Sequence, residues 1–141
     1  MERVDLPFFR VDLSPPFLIF THGLGSSYPK VKSHKNDAWV NVAAEASKLN
    51  NNSFLTYTAR GHGDSKGWQE TASLNLFQFT WKSLASDMAT VADSEGIDKF
   101  VAGGSSMGSA TALFCAIQHP ERVLGNQTVL DYYMVQYILD A

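Results

Sequence analysis

The feature that most constrains the fold is a serine turn with almost no connecting loop. Lys99-Phe100-Val101-Ala102 reads as a short buried strand, and it runs straight into Gly103-Gly104-Ser105-Ser106. Small residues then dominate 107–116, which predicts a helix able to pack closely on its sheet, and His119-Pro120 ends it. Within this junction Gly104-Ser105-Ser106-Met107-Gly108 matches G-x-S-x-G in the strand-then-helix context that the pattern requires. A turn that sharp strains the backbone of its central serine. Bulky side chains two positions to either side would strike the neighbouring strand and helix, which accounts for glycine at 104 and 108. The strain lifts the hydroxyl out at the C-terminal edge of a sheet, where the free N–H groups of the next helix point. Ser106 is therefore the candidate nucleophile. Ser105 is not, because Met107 would then occupy a position that needs a small residue.

The rest of the chain supplies the sheet that such a turn needs. Phe17-Leu18-Ile19-Phe20 is apolar on both faces and breaks at Thr21-His22-Gly23, which predicts a buried strand. Asn36 and Asp37 are possible N-caps for a helix over 37–49, with Trp39, Val42, Ala43, Ala46 and Leu49 at helical spacing. Residues 53–59 are rich in β-branched and aromatic types and predict a second strand. The segment 61–69 is Gly-rich loop. From Thr80 a second helix follows, with Leu84, Met88, Val91 and Ala92 on one face and Gly96 where a glycine would end it. Strand–helix alternation of this kind predicts an α/β fold with a parallel sheet and flanking helices. No repeat or linker divides the 141 residues, so 1–141 is read as one unit. At 45% hydrophobic and 18% charged, a chain of this length can bury roughly two-thirds of its unfolded surface.

Two loops accompany the serine turn. His22-Gly23-Leu24-Gly25 follows a buried strand, and its glycines let backbone N–H groups be presented without a side chain in the way. In a nucleophile turn of this type one oxyanion donor is the amide after the serine, here Met107. The other comes from the loop after an earlier strand, here Leu24. Arg60-Gly61-His62-Gly63-Asp64-Ser65 reads as a structural turn beside the site, with His62 an orienting or exposed loop residue rather than a base. Gly63-Asp64-Ser65-Lys66-Gly67 is a second literal G-x-S-x-G match, but loop residues separate it from the strand end at Ala59. Trp68-Gln69-Glu70 opens no small-residue helix after it, so Ser65 is set aside.

The segments FLIFTHGLGSS, YTARGHGDS, the helix containing SLASDM, and FVAGGSSMGSATALFCAIQHPERV together resemble the α/β-hydrolase fold superfamily, in its broad serine esterase, lipase and lactonase-like group. The resemblance covers residues 17–123, and the tail 124–141 diverges from it. It implies an α/β-hydrolase fold acting on a small ester, lactone or related acyl bond, with Ser106 as nucleophile and the amides of Met107 and Leu24 as oxyanion donors. His22, Gly23, Gly104 and Gly108 are the motif positions that support them. It implies no cofactor and no metal, with a small-molecule acyl compound as partner. A serine at 106 argues against the dehalogenase and epoxide-hydrolase branches, which use aspartate there.

Serine needs a base, itself oriented by a carboxylate, and the family order is serine, acid, histidine. Downstream of Ser106 stands only His119, which a helix carries ~20 Å from the serine. Asp131 and Asp140 have no histidine to orient. A complete sheet of this type, at ~30 residues per β-α-β step, needs more than about 200 residues. The expectation is thus a hydrolase domain truncated before its last strands, with an uncovered edge open to self-association. The alternative is a product that is catalytically silent in isolation and at most a binding module.

Composition excludes other classes. A net charge of −3 with no basic stripe argues against nucleic acid. The longest apolar run falls far short of the ~20 residues of a membrane span, and the N-terminus has no stretch of signal-peptide length, so the expected location is cytoplasmic. On that ground Asn51-Asn52-Ser53 and Asn126-Gln127-Thr128 are chance sequons. One cysteine and four scattered histidines offer no zinc spacing, and Cys115 reads as a small buried hydrophobe. Trp39, Trp68 and Trp81 read as packing residues, with Trp68 alternatively lining a pocket near the site.

Overall fold

The structure, a computed structural model, describes residues 6, 8–27, 35–36, 38–63, 65 and 79–129. Its centre is β2 (Ser14–Thr21), whose apolar run is buried from both sides. Alternation along the strand sends Ile19 to one face and Leu18 and Phe20 to the other, so each face nucleates its own core. β5 (Asn52–Tyr57) and β6 (Phe100–Ser105) pair parallel with β2 on its two sides. β1 (Phe8–Val11) adds antiparallel to β5, and β7 (Val123–Val129) adds parallel to β6, giving the order β1-β5-β2-β6-β7. Between β2 and β5 lie β3 (Ser26–Ser27), β4 (Lys35–Asn36) and α1 (Ala38–Leu49); β3 and β4 form a small parallel pair of their own.

Among the described residues, three helices cover the sheet. α1 packs on Leu18, Phe20 and Phe54. α2 (Trp81–Ser94) and α3 (Met107–Gln118) pack on the opposite face, where Ala85, Met88, Ala92, Ala112 and Cys115 meet Ile19, Leu55 and Phe100. α2 starts and stops on local signals. Thr80 and Ser83 form a reciprocal capping box, and Gly96 at φ +70° ends the helix, with Ile97 N–H donating to the Ala92 carbonyl at 2.9 Å.

The α/β architecture expected from the sequence is the one observed, and the differences are local. The second strand ends at Tyr57, two residues early, because its ladder to β2 runs out at the Thr21–Tyr57 pair. The strand before the serine turn runs on through Ser105, since Gly103 and Gly104 continue the ladders to β2 and β7 and Ser105 still pairs with β7. β1 is a four-residue edge strand whose phenylalanines are exposed, a pattern too short to show in sequence. The start of the tail that was expected to diverge forms β7, although Leu-Gly-Asn-Gln-Thr has little strand character; pairing with β6 places it. Asn36 lies in β4 and Asp37 falls outside the described residues, as do Trp68, Asp131 and Asp140.

Of the apolar residues at helical spacing in α1, only Ala43 is buried. The buried stripe of the helix is Val40, Ala43 and Ser47, whereas Trp39 and Val42 are 50% and 55% exposed and Leu49 lies almost fully in solvent. Apolar residues occur on both sides of this helix, so periodicity gives its existence but not its phase. Close packing on Phe20 and Phe54 selects the smaller residues. Trp81, by contrast, packs as expected, stacked on Phe114 with ring centroids 6.2 Å apart. Val40→Ala should therefore lower stability by about 2 kcal/mol, while Val42→Ala changes it by less than about 0.5 kcal/mol. Urea unfolding midpoints of the two variants check this; equal losses would restore the phase read from the sequence.

Candidate active site

Ser106 sits between β6 and α3 with φ +49° and ψ −112°, a conformation that side-chain-bearing residues rarely adopt. Such a residue costs about 1–3 kcal/mol and persists only where its surroundings over-determine it. Here two glycine contacts do so. A Cβ on Gly104 would lie 2.7 Å from the Gly108 Cα and nearer still to its carbonyl, so strand and helix touch backbone to backbone. A Cβ on Gly108 would lie 2.8 Å from the Thr21 carbonyl carbon and 2.9 Å from the His22 carbonyl oxygen. The buried Ser109 hydroxyl donates to the Gly104 carbonyl at 2.7 Å and ties the first turn of α3 back to β6. The Ser106 hydroxyl does not cap its own helix.

Sheet register brings the second loop alongside. Thr21 pairs with Gly104 in β6 and with Tyr57 in β5, so His22 stands level with Ser105. The chain then turns at Gly23-Leu24-Gly25, with Gly25 at φ +79° and Leu24 72% exposed. The His22-Gly23-Leu24 loop and the Ser106 turn thus leave neighbouring strands at the same edge. Met107 opens α3, and its side chain is buried with Ala59, Leu84, Phe79 and Trp81. The first N–H groups of α3 have no partner within the helix and carry the positive end of its dipole.

Other sequence candidates fall away from this edge or into structural roles. Ser105 is a buried strand residue. Ser65 is buried and donates its hydroxyl to the Thr58 carbonyl at 2.7 Å, which fixes the loop after β5. His62 packs edge-on against His22, ring centroids 5.1 Å apart, with Nδ1 3.0 Å from the Arg60 carbonyl. His22 is fully buried, and both its ring nitrogens are engaged, Nδ1 with the Gly23 carbonyl at 2.8 Å and Nε2 with the Ala59 N–H at 2.9 Å. His119 caps the far end of α3, a helical rise of ~18 Å from its start. Among the described residues no histidine hydrogen-bonds Ser106.

Some supports had no signal in the sequence. Arg60, just past β5, makes a bidentate pair with Asp87 of α2 at 2.5 and 2.6 Å, and this hydrogen bonding raises the guanidinium pKa. Burial, reinforced by the Asp87 charge, holds the Tyr57 phenol well above its usual range and so neutral. Neither pairing is local in sequence. Ser109 was visible only as one of several small residues. No helix among the described residues is long and apolar enough to cross a membrane, and no cluster of three metal-ligating side chains occurs among them.

Residues 16–126 match the alpha/beta hydrolase fold family, a span that includes both loops, β6 and all of α3. The chain belongs to the α/β-hydrolase fold family. No curated protein sequence matches it. Among solved structures it is similar to alpha/beta hydrolase domain-containing protein 10 from mouse, at 24% identity and TM-score 0.66, covering 91% of this chain and 47% of that one. It is similar to a thermophilic esterase from Thermogutta terrifontis, at 21% identity and TM-score 0.66, covering 89% and 40%. Epoxide hydrolase A from Mycobacterium thermoresistibile is also similar, at 18% identity and TM-score 0.65, covering 89% and 35%. The chain therefore spans less than half the length of these hydrolases. Proteins of different reaction types share the likeness, so it speaks to fold.

Within this hydrolase fold, Gly108→Ala should cost about 3 kcal/mol, because backbone carbonyls rather than flexible side chains block the added methyl. Thermal melting checks it, and an unshifted midpoint would show that α3 can move away from β2. Burial pushes the Cys115 thiol up to about 11. At about pH 8 it should stay a thiol and react with a disulfide reagent only after denaturant is added. Fast labelling of the folded chain would place it in an open site.

Proposed function

We propose that this α/β-hydrolase chain carries the nucleophile and oxyanion half of a serine hydrolase acting on a small ester, lactone or related acyl bond. The observation that supports it is Ser106 at positive φ on the strand-to-helix turn, beside the His22-Gly23-Leu24 loop. Ser106 Oγ attacks the acyl carbon, and the carbonyl π electrons move onto oxygen. The amides of Met107 and Leu24 donate to that oxyanion. Preorganised donors at such a position are each worth about 3–4 kcal/mol in the transition state. Collapse expels the alcohol, which takes the proton a base removed from Ser106. Water then repeats the sequence on the acyl-enzyme and frees the acid. In this reading base and acid come from sequence beyond these residues, and neither metal nor organic cofactor is called for. Serine rather than aspartate at 106 favours acyl transfer over epoxide opening.

A second reading rests on the absence, among the described residues, of a histidine bonded to Ser106: the 141-residue chain alone turns nothing over. A fluorophosphonate probe separates the two. A whole hydrolase containing this sequence should be labelled at Ser106, and Ser106→Ala should abolish labelling and lower ester turnover by at least about 1,000-fold. Label on another residue, or none, would defeat the serine mechanism. The isolated chain should show no turnover of p-nitrophenyl acetate; turnover lost on Ser106→Ala would overturn the second reading.

A further inference from the structure

We propose that residues 130–141 dock as an amphipathic helix in the open groove between α1 and the β6–β7 half of the sheet. The groove follows from uneven cover. Among the described residues α2 and α3 pack on one face of the sheet, whereas α1 alone packs on the other, over Leu18, Phe20 and Phe54. Beyond α1 the floor continues through half-buried Val101, its partner Gly125, and exposed Gln127 two residues on. A Cβ on Gly125 would meet no atom within 4 Å, so this strip of β7 faces open space. α1 supplies the wall. Its residues Ala46, Ser47 and Asn50 line a cleft of about 110 Å³ together with Leu18, Val101 and Gln127. Trp39, 50% exposed, stands on the same flank of the helix, two turns before Ala46, while Val42 and Leu49 lie farther round it.

The sequence that follows β7 matches this groove in place, period and chemistry. Val129 ends β7, so the segment begins at the end of the floor strand and needs no long connection to reach the groove. At helical spacing Leu130, Tyr133, Met134, Tyr137, Ile138 and Ala141 fall on one stripe, and Asp131, Gln136 and Asp140 lie off it. Asp131 stands where an N-cap would. A helix from Tyr132 to Ala141 is ~15 Å long, close to the ~18 Å of α1 beside it. Tyrosine brings an apolar ring and a hydroxyl that needs a partner once buried; Asn50, Asn52 and Gln127 stand among the apolar residues of the cleft. A hairpin along the outer edge of β7 is the competing path. It calls for a tight turn at positive φ, and Leu130-Asp131-Tyr132 holds no glycine or asparagine for one. A second copy is the competing occupant. Tethering to β7 favours the segment, because it holds the segment at an effective concentration on the order of millimolar. None of this depends on whether Ser106 is a nucleophile.

The test uses the 141-residue chain, with its mass in solution measured by light scattering, contacts by NMR and stability by urea unfolding. In the monomer, NOEs should join the Tyr137 ring to the methyls of Ala46 and Val101, and sequential amide NOEs of a helix should run along 132–140. Tyr137→Ser, on the stripe, should lower the urea midpoint by about 1 M, and Val135→Ser, off it, by less than about 0.2 M. Ala46→Glu on the wall should match Tyr137→Ser, and the double variant should lose little more than either alone, since both break one contact. Residues 133, 135 and 137 share a face only in a strand. Equal losses at 135 and 137, or cross-strand NOEs from 130–141 to β7, would therefore show a hairpin and overturn the proposal. A dimer whose NOEs to Ala46 are intermolecular in a mixed-isotope sample would give the groove to a second copy and overturn it as well. Random-coil shifts along 130–141, or fully additive losses in the double variant, would do the same. If a variant does not fold, the wild-type NOEs and mass decide alone.

Discussion

The close approach of α3 to the end of β2 is the contact on which the rest of the site depends. Gly108 lies against the carbonyls of Thr21 and His22 with no room for a side chain. That contact sets how near the helix comes to the sheet, and the distance leaves the preceding residue pair a single tight path from β6 into α3. Ser106 takes the strain of that path at φ +49°. The favourable terms that hold it there are distributed: the Ser109–Gly104 hydrogen bond, the ladders of β6 to both neighbours, and the burial of Ala110, Ala112 and Cys115. A strained residue survives because many ordinary contacts would have to break together to relieve it.

The same contact links the two halves of the site. Thr21 and His22 belong to the strand that leads into the Leu24 loop, and Gly108 belongs to the helix whose N-terminus carries the Met107 amide. Their spacing is thus set by one backbone-to-backbone junction rather than by flexible side chains. Around it, Arg60–Asp87 and Ser65–Thr58 fasten the loop after β5, and the His22 ring joins that loop to the first. In the proposed acyl-transfer reading, preorganisation of this kind would matter, since donors already aimed at a developing charge need no reorganisation during a reaction.

Much of this was legible in the residues. G-x-S-x-G between a strand and a small-residue helix placed the strained turn at Ser106, and the same rule set aside Ser65, whose hydroxyl turns out to serve Thr58. The glycines at 104 and 108 were read as steric necessities, and the structure names the atoms they avoid. Less was legible where the signal is shared or distant. α1 carries apolar residues on both sides, so its phase came from the shape of Phe20 and Phe54 rather than from its own period. β1 and β7 have weak patterns and exist as strands because β5 and β6 offer open ladders to pair with. His22 looked like part of a turn. Its acceptor role needs Ala59, which no local rule connects to it.

By itself the sequence determined the alternation of strands and helices and the strained serine turn with its two glycines. Those properties are local: they follow from side-chain period, glycine sterics and the residues that start and stop helices. Tertiary structure alone decided which face of α1 is buried, which strands close the sheet, and which group meets each buried donor. Those outcomes depend on chain segments tens of residues apart meeting in one place, where a polar atom shut away from water must find its partner. Ser106 could be found by reading. That His22 Nε2 accepts from the Ala59 N–H could be found only where β2 and β5 lie side by side.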